Sequence, residues 1–196
     1  PVPTNEHTRM RARFSASVGA TPTYYLCPIM ANTIAKPQVV ITFDDAKTTD
    51  YTTAFPYMQD RGLVGSIAVN SGVAEMSVAQ MLEMQAAGWS MHNHTTTHAN
   101  LTTLTAAQMR TELETCRDYL RSNGLDSGRS AMILPFGARD AAVDAVVAEY
   151  YPYVMTVGGE TVGIPIWPGF IEPHRIQRIS MNVPVTSSTI IGYINS

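Results

Sequence analysis

The clearest pattern in the chain is an alternation of short apolar runs with segments whose apolar residues recur at helical spacing. The first run, Gln38 to Phe43, is rich in β-branched residues. Such a run is typical of a strand that is buried on both faces, as in a parallel sheet. By the same reasoning, strands are predicted at residues 38–43, 64–69, 89–91, 131–134, 153–157 and 175–181.

Helices are predicted between these strands. Ser77 and Thr105 each begin a capping box, with glutamine three residues later, so one helix should run from Ser77 to Ala87 and another should follow Thr105. Shorter helices are predicted at 50–59, where Pro56 should kink or shorten the helix, and at 143–150. One face of the helix after Thr105 carries apolar residues at i, i+4, i+7 and i+11: Met109, Leu113, Cys116 and Leu120.

Strand and helix alternate at least four times, which predicts a parallel sheet, either open or closed into a barrel. The 196 residues suit one domain, which we place at 37–196 after a weakly patterned arm or linker at 1–36. Because the chain starts at Pro1, we expect a domain processed or cut from a longer protein. Cys27 and Cys116 do not decide the redox compartment, and whether they pair is open.

Composition narrows the possible partners. The net charge is −3 and the basic residues form no stripe, which argues against a nucleic-acid partner. No apolar run approaches the roughly 18 residues of a membrane span. A neutral or polar substrate suits this balance.

Candidate chemistry lies where three predicted strands end. Those ends carry polar or conformationally special residues at 44–45 (two aspartates), 92–98 (three of the five histidines) and 135–137 (Pro-Phe-Gly). In a parallel α/β fold such ends meet on one rim, where active sites form.

The residue types at this rim suit a metal. His94 and His98 with one carboxylate would make a three-ligand site with an open position, the pattern of catalytic zinc. Either Asp44 or Asp45 could supply the oxygen, which leaves the other as a base. Alternatively, the aspartates cap the following helix and the histidines are surface polar residues.

Together these motifs resemble those of the polysaccharide deacetylases, carbohydrate esterase family 4 with its NodB-homology domain. Residues 42–45 (TFDD) resemble the first family motif, 93–98 (NHTTTH) the second and 134–137 (LPFG) the third. Residues 76–89 resemble the segment that precedes the second motif. The resemblance covers roughly residues 37–182 and implies a distorted, incomplete (β/α) barrel.

The resemblance also implies roles for the motif residues. Asp45, His94 and His98 would hold one divalent metal, Zn²⁺ first, with Co²⁺, Ni²⁺ or Mn²⁺ as alternatives. Asp44 would be the general base toward water, and the backbone N–H of Phe136 would stabilise the oxyanion.

Further residues are expected around the substrate. Thr95 would line an acetate pocket, and Pro135 of the third motif and the loop residue Trp167 would contact the sugar. His92 would contact the substrate or orient a neighbouring group, or have no role. His174 is the histidine left for the general acid.

Four departures from the family pattern are visible in the sequence. Ala46 replaces the glycine that usually follows the aspartates, His92 stands where glycine is usual, and Ile133 replaces an arginine that many members use to orient the base. The usual Leu-x-x-His acid motif is absent, since no histidine follows Ile179.

The resemblance therefore implies a metal-dependent carbohydrate deacetylase, a hydrolase that removes N- or O-acetyl groups from an acetylated polysaccharide or oligosaccharide. The alternative is a catalytically weak or inactive glycan-binding module of the same fold. The expected setting is extracellular, in a cell envelope or on a virion surface such as a phage tail, as part of a longer or trimeric protein.

Overall fold

The computed structural model describes residues 40–125 and 127–157, and the backbone of 176–178. The arm predicted at 1–36, Trp167 and His174 lie outside the described residues. The elements in chain order are β1 Thr42–Asp44, α1 Phe55–Gln59, β2 Ser66–Val69, α2 Val78–Ala86, β3 Ser90–Asn93, α3 Ala106–Ser122, β4 Ala131–Ile133, α4 Ala141–Val147, β5 Tyr153–Val157 and β6 Ile176–Arg178. Short helical turns occur at Asp50–Ala54, Leu101–Thr103 and Pro135–Gly137.

The strands form one parallel sheet in the order of the sequence, β1 to β6. Each strand therefore lies beside the one before it, and the chain winds in one direction as in a (β/α) barrel, without the reversal of a doubly wound sheet. Within the described residues, β1 and β6 each pair on one side only. The predicted distorted, incomplete (β/α) barrel is confirmed.

The two capping boxes form as predicted. Ser77 Oγ accepts from the N–H of Gln80, and Thr105 Oγ1 accepts from that of Gln108, while each glutamine bonds back to its cap. The predicted apolar face of α3 is buried: Met109, Leu113, Cys116 and Leu120. None of the described helices has the length and apolar character needed to cross a membrane.

The helix predicted at 50–59 divides into two parts. Asp50–Ala54 forms a wider turn of the π type, and α1 begins only at Phe55. Pro56 explains the division, because proline has no N–H for the carbonyl four residues earlier and its ring collides with it.

The first strand is shorter and more exposed than its sequence predicts. β1 covers only Thr42–Asp44, all three residues are half-buried, and Val40 before them is 72% exposed. The prediction of a strand buried on both faces is wrong here because β1 is an edge of the sheet in the described part. An apolar run alone does not distinguish an edge strand from a central one.

Aromatic packing fixes the strand that carries the aspartates. The buried Trp89 ring lies 5.6 Å from the ring of Phe43 in β1 and 5.8 Å from that of Phe55 in α1. A second apolar cluster packs β4 against α3 and α4 through Met132, Leu113 and Val147. The first cluster thus supports β1 and β3, and the second supports β4.

Candidate metal and active site

The predicted ligands meet at the carboxyl ends of β1 and β3. Nε2 of His98 lies 3.3 Å from Oδ1 of Asp45, and Nε2 of His94 lies 3.8 Å from the same oxygen. One ligand atom from each of the three residues lies within 4.8 Å of the others. Among the described residues, the geometry makes Asp45 the candidate carboxylate ligand, a choice that residue types and spacing alone left open.

The two separations from Asp45 are close to those of a first coordination sphere, and the widest separation in the set is at most 4.8 Å. Zinc binds imidazole nitrogen and carboxylate oxygen at about 2.0–2.2 Å with tetrahedral angles, which separates ligand atoms by about 3.4 Å. The two measured separations from Asp45, 3.3 and 3.8 Å, are close to this value. The residues therefore fit a small divalent cation.

His94 is the most constrained of the three. Its Nδ1 lies 2.7 Å from the carbonyl oxygen of Ile133, which can only accept, so Nδ1 carries the hydrogen and Nε2 a lone pair. The side chain is 1% exposed, and Nε2 has no hydrogen-bond partner among the described residues. Burial lowers the pKa of His94, which favours the neutral ring that binds metals. A buried lone pair without a partner is costly, and a metal would satisfy it.

Asp45 is held from two further directions. The side-chain amide of Asn70, which is buried, donates to Oδ1 at 3.1 Å, and Nζ of Lys47 lies 3.7 Å from Oδ2. Asp44 is half-buried at the end of β1, and its charge acts on His94, raising that residue's pKa against the larger effect of burial. Both aspartates thus belong to the neighbourhood of His94.

Backbone strain is concentrated at this site. In the described part of the chain, the non-glycine residues with positive φ are Asp45 (77°), Ala46 (51°), Thr95 (67°), His98 (60°) and Phe136 (59°). Left-handed backbone is unfavourable for residues with a Cβ, and most so for a β-branched residue such as Thr95. Strained residues that gather at three strand ends indicate a functional site.

Asn93 of the second motif and Glu112, which the sequence did not single out, hold the segment between the histidines. Oδ1 of Asn93 accepts from the N–H of Thr95 at 2.8 Å, and Oε2 of Glu112 accepts from the N–H groups of Thr96 and Thr97 at 2.9 and 2.8 Å. The Asn93 contact is local and lies within the 93–98 motif, whereas no local motif identifies the Glu112 contacts, because Glu112 comes from the middle of α3.

The predicted substrate-side residues have different positions. The Phe136 side chain is 65% exposed and its ring centroid lies 4.6 Å from that of His98, so it borders the site. Pro135 is buried. Thr95 is fully buried, and its hydroxyl has no hydrogen-bond partner within the described ranges. The substrate roles of Thr95 and Pro135, and the oxyanion role of the Phe136 N–H, stay predictions.

The His92 ring contacts the segment that precedes the neighbouring strand β4. Its Nδ1 lies 3.0 Å from the carbonyl oxygen of Gly128, which precedes β4, and its Nε2 lies 2.9 Å from Oγ of Ser90. Oγ of Ser90 lies 2.9 Å from Oγ of Ser66. The ring is therefore buried in a network that joins β2 and β3 to the segment before β4. Its predicted substrate contact stays a prediction, as do the roles of Trp167 and His174.

The comparison with protein families agrees with this geometry. The family model described as polysaccharide deacetylase matches residues 31–154. The chain belongs to the polysaccharide deacetylase family. A relative in Bacillus subtilis (strain 168), "Putative polysaccharide deacetylase YxkH", is 33% identical over 163 residues, which make up 81% of this chain and 56% of the relative. The chain thus spans little more than half the length of that deacetylase-family relative.

Solved structures share the fold of this deacetylase-family chain. A Streptococcus pyogenes deacetylase, PplD, in complex with acetate has a TM-score of 0.72 at 23% identity, with 87% of this chain and 79% of that chain covered. A family 4 carbohydrate esterase from Streptomyces lividans, also in complex with acetate, has a TM-score of 0.56 at 22% identity, with 61% and 62% covered. At these identities the similarity establishes the barrel type.

Proposed function

We propose that this chain is a metal-dependent carbohydrate deacetylase that removes N- or O-acetyl groups from a polysaccharide. The observation that carries the proposal is the set of Asp45, His94 and His98, with ligand atoms within 4.8 Å and the buried Nε2 of His94 without a hydrogen-bond partner in the described part. Family membership and the acetate in two structural relatives support the choice of reaction.

The three ligands leave a small divalent cation open to solvent on one side, since His98 and Asp45 are 26% and 28% exposed. Zn²⁺ suits two imidazoles and a carboxylate, and Co²⁺, Ni²⁺ and Mn²⁺ accept the same donors. When bound, such a metal lowers the pKa of a water ligand and polarises an acetyl carbonyl. The protein's contribution is to keep His94 in the correct tautomer through Ile133.

Asp44 is the proposed general base. Its carboxylate, next to the ligand Asp45, takes a proton from the attacking water. The N–H of Phe136 donates to the oxyanion that forms on the acetyl group. If the substrate is an amide, His174 gives a proton to the leaving amine; an ester needs less help from an acid, so O-deacetylation requires fewer residues.

A glycan-binding module is the second candidate. The arginine that many family members use to orient the base is replaced by Ile133, which is fully buried in β4 and contacts His94 through its carbonyl oxygen. An aspartate without that support is a weaker base. The chain would then bind glycan and metal but hydrolyse the acetyl group slowly or not at all.

Acetate release separates the two candidates. The purified chain is loaded with Zn²⁺ or Co²⁺ and incubated with a panel of N- and O-acetylated oligosaccharides. The deacetylase predicts repeated turnover that a chelator abolishes and added metal restores. Saturable oligosaccharide binding without acetate release from any member of the panel would favour the binding module.

Asp44→Asn tests the base. We expect the variant to keep its metal and to lose at least about 100-fold in kcat, the usual contribution of a positioned base. Full activity with retained metal would contradict the assignment. Glu75→Gln is a suitable control, because Glu75 is a nearby exposed acid that pairs with Lys47 and not with the histidines.

We also propose an extracellular setting, in a cell envelope or on a virion surface, within a longer or trimeric protein. The proposed polysaccharide substrate supports this setting, since the polysaccharides of cell walls and capsules lie outside the cell membrane. Light scattering on the purified chain tests the trimer: a trimer would favour a tail-protein context, and a monomer would contradict a trimer formed by this chain.

A further inference from the structure

We propose that Glu112 is a positioning residue for the metal site, and that it holds residues 94–98, the metal loop, in the shape that presents both histidines. This inference rests on the proposed metal site. Glu112 lies in α3 and is half-buried. Within the described residues, the hydrogen bonds of its carboxylate all go to the metal loop.

Four hydrogen bonds join Glu112 to the metal loop. Oε2 accepts from the N–H groups of Thr96 and Thr97 at 2.9 and 2.8 Å, and Oε1 accepts from the Thr97 hydroxyl at 2.8 Å. The Thr96 hydroxyl donates to the backbone carbonyl of Glu112 at 3.0 Å. Hydrogen bonds to a carboxylate are shorter and about twice as strong as neutral ones, so this one side chain fixes two consecutive residues.

The metal loop depends on side chains because its own backbone cannot form a helix. Thr95 and His98 have positive φ, at 67° and 60°, and three consecutive threonines are poor helix formers. The N–H groups of 95–97 therefore have side-chain acceptors, Asn93 for the first and Glu112 for the next two. Without the Glu112 carboxylate, the N–H groups of Thr96 and Thr97 would lose their acceptor, and the two residues that precede the left-handed His98 would be less fixed.

The opposite side of the metal loop is fixed by backbone. The N–H groups of Ser71 and Gly72 donate to the carbonyls of Thr95 and Thr96 at 3.3 and 2.8 Å. A Cβ at Gly72 would lie 2.8 Å from the Thr96 oxygen, so the approach is as close as glycine allows. The metal loop is thus held between this backbone and Glu112, and Glu112 is the part that a single substitution can remove.

The test compares zinc affinity in three variants of the full chain. Zn²⁺ is titrated against a chromophoric chelator into metal-free wild type, Glu112→Ala, Glu112→Gln and Glu114→Ala. Glu114 is the matched control, because it lies on the same helix, carries the same charge and accepts a hydrogen bond from Tyr150, away from the metal loop. Glutamine at 112 keeps an oxygen for the two N–H groups and an amide for the Thr97 hydroxyl.

We expect Glu112→Ala to weaken zinc binding about 10- to 100-fold, as is usual for residues that orient metal ligands, while Glu112→Gln and Glu114→Ala stay within a few-fold of wild type. Equal affinities for Glu112→Ala and Glu114→Ala would overturn the inference. A lower melting temperature of metal-free Glu112→Ala with unchanged affinity would overturn it too, since Glu112 would then support only the fold.

Two further outcomes are decisive. If Glu112→Gln loses as much affinity as Glu112→Ala, the effect comes from charge and the positioning role is wrong. If wild type binds no zinc, the proposed function is wrong. If wild type binds zinc and Glu112→Ala binds it equally well, only the role of Glu112 is wrong.

Discussion

Replacing Ala46 with glycine should cost the protein little stability, although the replacement removes a fully buried methyl group. Ala46 follows Asp45, the proposed metal ligand, has φ of 51° and is 0% exposed. Its carbonyl accepts from the N–H groups of Glu75 and Met76, both at 3.1 Å, which keeps the residue in its left-handed conformation. Family members usually carry glycine at this position.

Three contributions determine how Ala46→Gly changes the free energy of unfolding. Loss of a buried methyl destabilises by about 0.8 kcal/mol, and the greater freedom of glycine in the unfolded chain adds about 0.5–1 kcal/mol. At Ala46, relief of the left-handed strain returns about 1–2 kcal/mol, so the net change in unfolding free energy is near zero. Ala68 in β2 is as buried as Ala46 but has an extended backbone. Ala68→Gly therefore relieves no strain and should lower the free energy of unfolding by about 1.5 kcal/mol.

Urea unfolding followed by circular dichroism measures both variants on the metal-free protein. We expect Ala68→Gly to be the less stable by about 1–2 kcal/mol, which corresponds to a melting temperature lower by roughly 3 °C or more for a chain of this size. Equal destabilisation by both substitutions would refute the reasoning, because it would mean that the left-handed backbone at Ala46 carries no strain.

Two further predictions concern titratable groups. Burial raises the pKa of the Cys116 thiol, which donates to the carbonyl of Val69 at 3.2 Å, so in a Cys27→Ser background a disulfide reagent should label no thiol until denaturant is added; labelling of the native protein would contradict this. Burial lowers the pKa of His94 in the folded protein. Below about pH 6.5, His94 therefore binds a proton in the unfolded protein but stays neutral in the folded protein. The metal-free protein should therefore lose stability as the pH falls from 7 to 5.5, with a flatter slope in His94→Gln, and parallel slopes would contradict the account.

Local signals in the sequence predicted much of the architecture. The capping boxes at Ser77 and Thr105 fix helix starts through contacts three residues apart, so a short window is enough to identify them. The alternation of strands and helices predicted the parallel sheet, and the strand ends then predicted that 44–45 and 92–98 would meet.

Contacts between distant segments were beyond prediction from the pattern. Glu112 meets Thr96 from 16 positions away and Asn70 meets Asp45 from 25, and both pairings depend on how elements pack in three dimensions. His92 has a long-range contact of the same kind. Its ring reaches the carbonyl oxygen of Gly128, 36 positions away and before the start of β4.

The metal content of the purified protein tests the central claim most directly. Elemental mass spectrometry is applied to wild type, His94→Ala, Asp45→Ala and the control His92→Gln, after equilibration with Zn²⁺ and removal of excess metal. The account predicts about one equivalent in wild type and His92→Gln, and loss of the metal in the other two variants. Wild type without metal after zinc treatment, or full metal content in His94→Ala and Asp45→Ala, would contradict it.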